Sequence, residues 1–155
     1  VMGTQQILMI VLSVIIVGVA VGVGITMFQN QAVNSNRQAV IADLNNFAAQ
    51  AIAWYKLPVN MGGGGNGTPG FVGEDEAPTA GLLSYIGFVE TGSGTGVYEY
   101  TNDNGTYSIE DQTQYTLSIK GEGKEKVGTE TYVGATLTIN MENAPGQQIS
   151  IAIDN

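Results

Sequence analysis

The chain has no cysteine and no histidine, and only 12% of its residues are charged. Without cysteine there is no disulfide, no thiol nucleophile and no thiolate metal site. Without histidine, imidazole acid–base catalysis and the usual zinc ligand sets go as well. Basic residues are scarce, five against fourteen acids for a net charge of −9. That argues against nucleic acid as a partner, because phosphate binding needs a basic patch. Proline is also rare: there are four, the first at Pro58, so nothing of that kind interrupts a helix before it.

The charge that remains is unevenly placed. Residues 1–57 carry Arg37, Lys56 and Asp43, a net +1, and residues 58–155 carry a net −10. The run from Ile7 to Phe28, within QQILMIVLSVIIVGVAVGVGITMFQNQ, holds no charged side chain at all. At about 1.5 Å rise per residue it makes a helix of roughly 33 Å, enough to cross a bilayer core of ~30 Å. A signal-peptide hydrophobic region is shorter and ends at a small-residue cleavage site. Here the apolar run continues without a break into residues 29–57. No basic segment precedes it and the sequence begins at Val1. Removal of a basic leader would give that start, and so would a sequence cut at that point.

Residues 29–57 are amphipathic. Val33, Val40, Leu44, Phe47, Ala51 and Trp54 recur at three-, four- and seven-residue intervals, while Asn34, Gln38, Asp43, Asn45, Asn46 and Gln50 fall mostly elsewhere. Alanines raise helix propensity, and Leu57-Pro58 with the following MGGGGNG stops the helix. The expectation is one helix over 1–57, with an apolar part at 1–28 and a half-buried part at 29–57. Gly18, Gly22 and Gly24 each cost ~1 kcal/mol relative to alanine in a helix interior. Two readings account for them. Gly18 and Gly22 form a GxxxG pair suited to close helix–helix contact, or the segment is a weak helix able to unwind. The β-branched Val17, Val19, Val21, Val23 and Ile25 favour the second reading, and both can hold.

Residues 58–80 read as a Gly/Pro-rich surface loop. From residue 81 the pattern turns to period two. Val97–Thr101 and Thr106–Glu110 flank an Asn-Gly turn. Tyr115, Leu117 and Ile119, then Val133 to Met141, then Ile149, Ile151 and Ile153 alternate with polar residues. GLLSYIGF at 81–88 fits a short helix or a strand. The result is an antiparallel meander with one apolar face. A sheet of this size rarely stands alone without disulfides or metals, so its apolar face needs a cover. Val40, Leu44, Phe47, Ala51 and Trp54 are the candidates to supply it. The predicted fold is therefore α+β: a long N-terminal helix whose C-terminal half packs on a small antiparallel sheet formed within 81–155, its N-terminal half projecting free.

A free apolar helix continuous with an amphipathic half on an antiparallel sheet resembles the plan of type IV pilins and pseudopilins. The likeness is architectural over the whole chain and, in sequence, confined to residues 1–57. It implies a leader removed by prepilin peptidase, an inner-membrane pool of subunits held by the apolar helix, and assembly machinery that draws them into an extracellular filament. Ile7, Ile10, Val11, Val14, Ile15, Val17, Val21, Ile25 and Phe28 would form the core of that homopolymer. Gly18, Gly22 and Gly24 would mark close packing, or the unwinding found in several bacterial pili. Val1, Gln5 and Gln6 take the place of the N-terminal register residues. Gln5 stands where the family usually has glutamate, Val1 where it has phenylalanine, and Gly22 near a common proline. The C-terminal disulfide of many pilins is absent. Archaeal pilins also lack the glutamate.

No catalytic constellation emerges, and neither enzyme activity nor a cofactor is expected. Glu110-Asp111 reads as solvation of an exposed edge. NDNGTYSIED, aligned as a calcium loop on Gly105 and Asp111, puts Tyr100 at the first ligand position, where an oxygen ligand of another kind is needed. Asn66-Gly67-Thr68 and Asn104-Gly105-Thr106 are glycosylation sequons, and equally ordinary turns. The alternatives to a major filament subunit are a minor pseudopilin of a secretion or DNA-uptake machine and a single-span, membrane-anchored binding module that never polymerises.

Overall fold

The structure, a computed structural model, describes residues 2–67, 69–73, 77–92 and 96–154. A single helix, α1, runs Met2–Lys56. A turn of 3₁₀ helix (Val59–Met61) and a short helix α2 (Ala80–Ile86) follow. Six strands complete the order: β1 (Val89–Glu90), β2 (Tyr98–Thr101), β3 (Gly105–Gln112), β4 (Thr116–Val127), β5 (Thr131–Asn140) and β6 (Ile149–Asp154). They form one antiparallel meander in sequence order. The chain divides into two compact units, one up to Ser35 and one from Asn36 onward. The layout is α+β.

Within the second unit, the part of α1 from Asn36 to Lys56 covers the sheet. Val40, Leu44, Phe47, Ala51 and Trp54 are all buried, in one cluster with Tyr107, Ile109, Leu117, Ile119, Ala135, Leu137 and Ile139. These sheet residues alternate along β3, β4 and β5, as one covered face requires. Phe47 forms the centre of an aromatic group, with ring centroids 5.3 Å from Phe88, 5.4 Å from Tyr100 and 5.0 Å from Tyr107, all edge-on.

Glycine permits the close approach of helix to sheet. Gly121 and Gly123 occupy inward positions of β4, where a Cβ would run into Val40 and Tyr107, and into Asn36, respectively. The Asn36 side chain fills the space left at Gly123. Its Nδ2 donates to Asn104 O at 2.9 Å, and its Oδ1 accepts from Glu125 N at 3.2 Å.

Two sequence expectations need correction, and one open reading is settled. Residues 58–80 are more than a surface loop. Phe71 is fully buried, with its ring 4.8 Å from that of Tyr55. The glycines also fold back under the end of α1, so that Gly64 N donates to Trp54 O and Asn66 N to Tyr55 O. Carbonyls that the helix leaves unpaired at its C-terminus are thereby satisfied. Residues 81–88, which fit a helix or a strand, are helical up to Ile86: Leu82 and Ile86, four apart, are buried, and Gly87 at φ +81° ends α2. The β2–β3 connection is not an Asn-Gly turn of the usual kind. Gly105 lies in β3, where a Cβ would meet the Glu122 carbonyl. The turn at Asn102–Asn104 is held by Asn102 Oδ1, which accepts from the backbone N–H of Asn104 (2.9 Å) and Gly105 (3.0 Å).

Candidate functional site: an uncovered apolar helix and a latched head

The first unit is helix alone, and its apolar side chains are uncovered. The sixteen large ones between Ile7 and Phe28 are 49–73% exposed. An 18-residue stretch here has a mean hydropathy of 2.9, and the helix is long and apolar enough to cross a membrane. Its few polar side chains are fitted to such a setting. Ser13 Oγ donates to Met9 O at 2.8 Å and Thr26 Oγ1 to Gly22 O at 3.1 Å, so both hydroxyls are satisfied within the helix.

The helix is continuous through Gly18, Gly22 and Gly24, and nothing lies within 4 Å of where their Cβ atoms would be. Gly18 leaves a shallow notch beside Ser13, Val14 and Val17. Gln5 and Gln6 sit exposed on the first turns beside Met9 and Ile10. Val1 lies outside the described residues.

In the second unit the helix is locked to the sheet by a polar contact that sequence patterning missed. Asp43 Oδ2 accepts three hydrogen bonds: from Tyr107 Oη at 2.6 Å, Asn104 Nδ2 at 2.8 Å and Asn102 Nδ2 at 2.9 Å. Burial by itself pushes the Asp43 carboxyl up, but the three donors outweigh it and hold the group below the usual carboxylate range. Burial, with the hydrogen bond that its hydroxyl donates to the neighbouring Asp43 carboxylate, raises Tyr107 and keeps the phenol protonated. The latch thus joins the helix to the β2–β3 turn with one charge and three neutral donors.

A folded-state carboxyl with a lowered pKa stabilises the head above its unfolded value of ~3.9, and that stability is lost as pH falls through the lowered value. Asp43→Asn is therefore expected to cost about 2 kcal/mol at neutral pH. It should also flatten the decline of stability below about pH 4. Urea melts of both proteins between neutrality and acid pH, followed by tyrosine near-UV dichroism, check this; an unchanged acid limb would contradict it.

The two sequons differ in setting. Asn104 Nδ2, the atom a glycan would take, donates to Asp43, and the side chain is half-buried. Asn66 is exposed at φ +59° on the loop, and the Thr68 of its sequon lies outside the described residues. Among the described residues no three histidine, cysteine, aspartate or glutamate side chains converge as metal ligands would.

No family model, curated protein or solved structure matches the chain. The observations define a class: an α+β protein with a long apolar N-terminal helix able to span a membrane, and an antiparallel sheet under the helix's second half. That layout is compatible with a pilin-like fold.

Proposed function

We propose that the chain is a structural subunit that polymerises through its apolar N-terminal helix into an extracellular, type IV pilus-like filament. The observation that carries this reading is the uncovered apolar surface between Ile7 and Phe28. Each such side chain gains ~1.5–3 kcal/mol on full burial, so the run as a whole has tens of kcal/mol to gain from leaving water. A membrane supplies that before assembly, and other copies of the same helix supply it afterwards. In the filament Ile7, Ile10, Val11, Val14, Ile15, Val17, Val21, Ile25 and Phe28 form the core. Gly18, Gly22 and Gly24 are the points of close helix contact or of local unwinding. The anionic head forms the exterior. Gln5 cannot neutralise a neighbour's N-terminal amine as glutamate would, so register rests on hydrogen bonding by Gln5 and Gln6. The implied partners are other copies of the chain, a prepilin peptidase, the assembly machinery and the inner membrane that holds the precursor.

Electron microscopy of the purified protein and of cells producing it tests the reading, and thin filaments containing the chain are the expected result. A detergent-bound monomer, with cells bare of such filaments, would sink it. Gln5 also supports a second reading, a minor pseudopilin, since some tip subunits of the family lack the glutamate. Low copy number beside a different major subunit would select that. Full activity after deletion of residues 1–28 would select the anchored binding module.

A further inference from the structure

β6 is the last strand of the sheet, and its outer edge is unusually well prepared for a partner. The bond from Asn140 N to Gln148 O, 2.8 Å, fixes the phase of the β5–β6 ladder. With the register running from Ile139↔Ile149 to Gly134↔Asp154, Gln148, Ser150, Ala152 and Asp154 turn their backbone groups toward β5. Ile149, Ile151 and Ile153 turn theirs outward. The side chains of these isoleucines lie on the covered face of the sheet, opposite Ile139, Leu137 and Ala135. Those three are fully buried, yet Ile149 is 42% and Ile153 48% exposed. Sheet edges are normally guarded by lysine, proline or a bulge, and 149–153, ISIAI, has none of these.

We propose that β6 pairs antiparallel with β6 of a second copy of this chain, about a two-fold axis at Ile151. The edge is self-complementary in that register. Ile151 faces its own copy, and Ile149 and Ile153 face each other, so every outward N–H and C=O of the three isoleucines is used. Their side chains form one apolar cluster continuous with the two cores. Ser150 falls opposite Ala152, and Asp154 opposite the neutral Gln148. The two Asp154 carboxylates stand at opposite ends of the ribbon, roughly 20 Å apart and beyond a Debye length of ~8–10 Å. The other edge of the sheet is a poor alternative, because β1 has only two residues, Val89–Glu90. A two-fold contact does not propagate. In a filament whose copies all point one way it ties neighbouring filaments together, and it does not depend on the polymerisation proposed above.

The absence of cysteine makes the test direct. Single-cysteine variants Ile149→Cys, Ile151→Cys and Ile153→Cys of the full chain are oxidised in detergent and run without reductant. Directly opposed residues lie ~5.5 Å apart at Cα, within disulfide range. Residue 149 lies about 13 Å from its own copy, as does 153. Ile151→Cys should cross-link at least roughly ten-fold more than either other variant alone, and a mixture of the 149 and 153 variants should give the mixed dimer. Equal cross-linking at all three positions overturns the register, and none at 151 overturns the pairing. Adding Ile151→Pro to the mixture removes one outward N–H while leaving the ladder to β5 intact. It should abolish the mixed disulfide with the tyrosine near-UV signal preserved; a mixed disulfide that persists overturns the proposal.

Discussion

On the filament reading proposed above, Val17→Asp is expected to abolish assembly while leaving the head's melting temperature unchanged. Val17 lies in the middle of the uncharged run, is 60% exposed and has no place in the core of the second unit. A carboxylate at the centre of a membrane-spanning helix costs ~2.5–3.5 kcal/mol. The dry interior of a helix bundle imposes a cost of the same kind, because the charge has no partner there. At 1.4 kcal/mol per factor of ten, the equilibrium for moving the helix out of water into either setting falls by roughly a hundred-fold. A precursor held in the membrane by this helix would be retained less, so the pool that feeds the proposed filament should shrink. The measurement is filament abundance per cell by negative-stain microscopy, beside a thermal melt of the purified chain in detergent. Normal filaments from Val17→Asp would mean that the apolar helix is not the filament core. A lowered melting temperature would mean that Val17 supports the head, contrary to its exposure.

The sequence made the helix and much of the sheet legible because each writes its period in side chains. The stripe from Val40 to Trp54 repeats at helical spacing and is buried throughout, and the alternation in β5 is just as plain. Failures occurred where backbone geometry takes over from side chains. The stretch KGEGKEKV of β4 has almost no apolar residue, so it does not read as a half-buried strand. Its inward positions are Gly121 and Gly123, and the apolar or polar group that fills each belongs to the helix: Val40 at one, Asn36 at the other. Glycine in a strand then marks the close approach of another element where composition suggests a turn.

The glycine loop misled for a related reason. Gly64 is buried against Trp54 and Tyr55, and the polarity of MGGGGNG concealed that its N–H groups cap the helix. Phe71 was an apolar residue in a loop, and only the surrounding turns bring it inside. Asp43 left no trace at all. One acid off the apolar stripe is an ordinary solvated residue until the turn at Asn102–Asn104 and the hydroxyl of Tyr107 arrive from sixty residues away. The signal available in advance was an asparagine-rich turn, which turn chemistry alone explains.

Trp54→Ala is expected to destabilise the head by about 4 kcal/mol, a drop of roughly 15 °C for a domain of this size. Trp54 is 2% exposed and meets three separate parts of the fold. Its ring stacks on Phe71, with centroids 6.5 Å apart and planes at 25°. Its indole Nε1 donates to Gly62 O at 2.9 Å. The missing side chain of Gly64 lets the backbone lie against the ring edge. Truncation therefore removes transfer energy, leaves a cavity that the capped glycine loop cannot easily close, and strands the Phe71 face. Trp54→Phe keeps the stacking and loses only the hydrogen bond and part of the volume, so its cost should be about half as large. Far-UV dichroism will be dominated by α1, so the tyrosine near-UV signal is the measurement to follow. Equal losses for the alanine and phenylalanine variants would assign the energy to the indole hydrogen bond. A small loss for both would mean that the loop from Pro58 to Phe71 is not held by Trp54, and that the fold-back under the helix end rests on its backbone bonds alone.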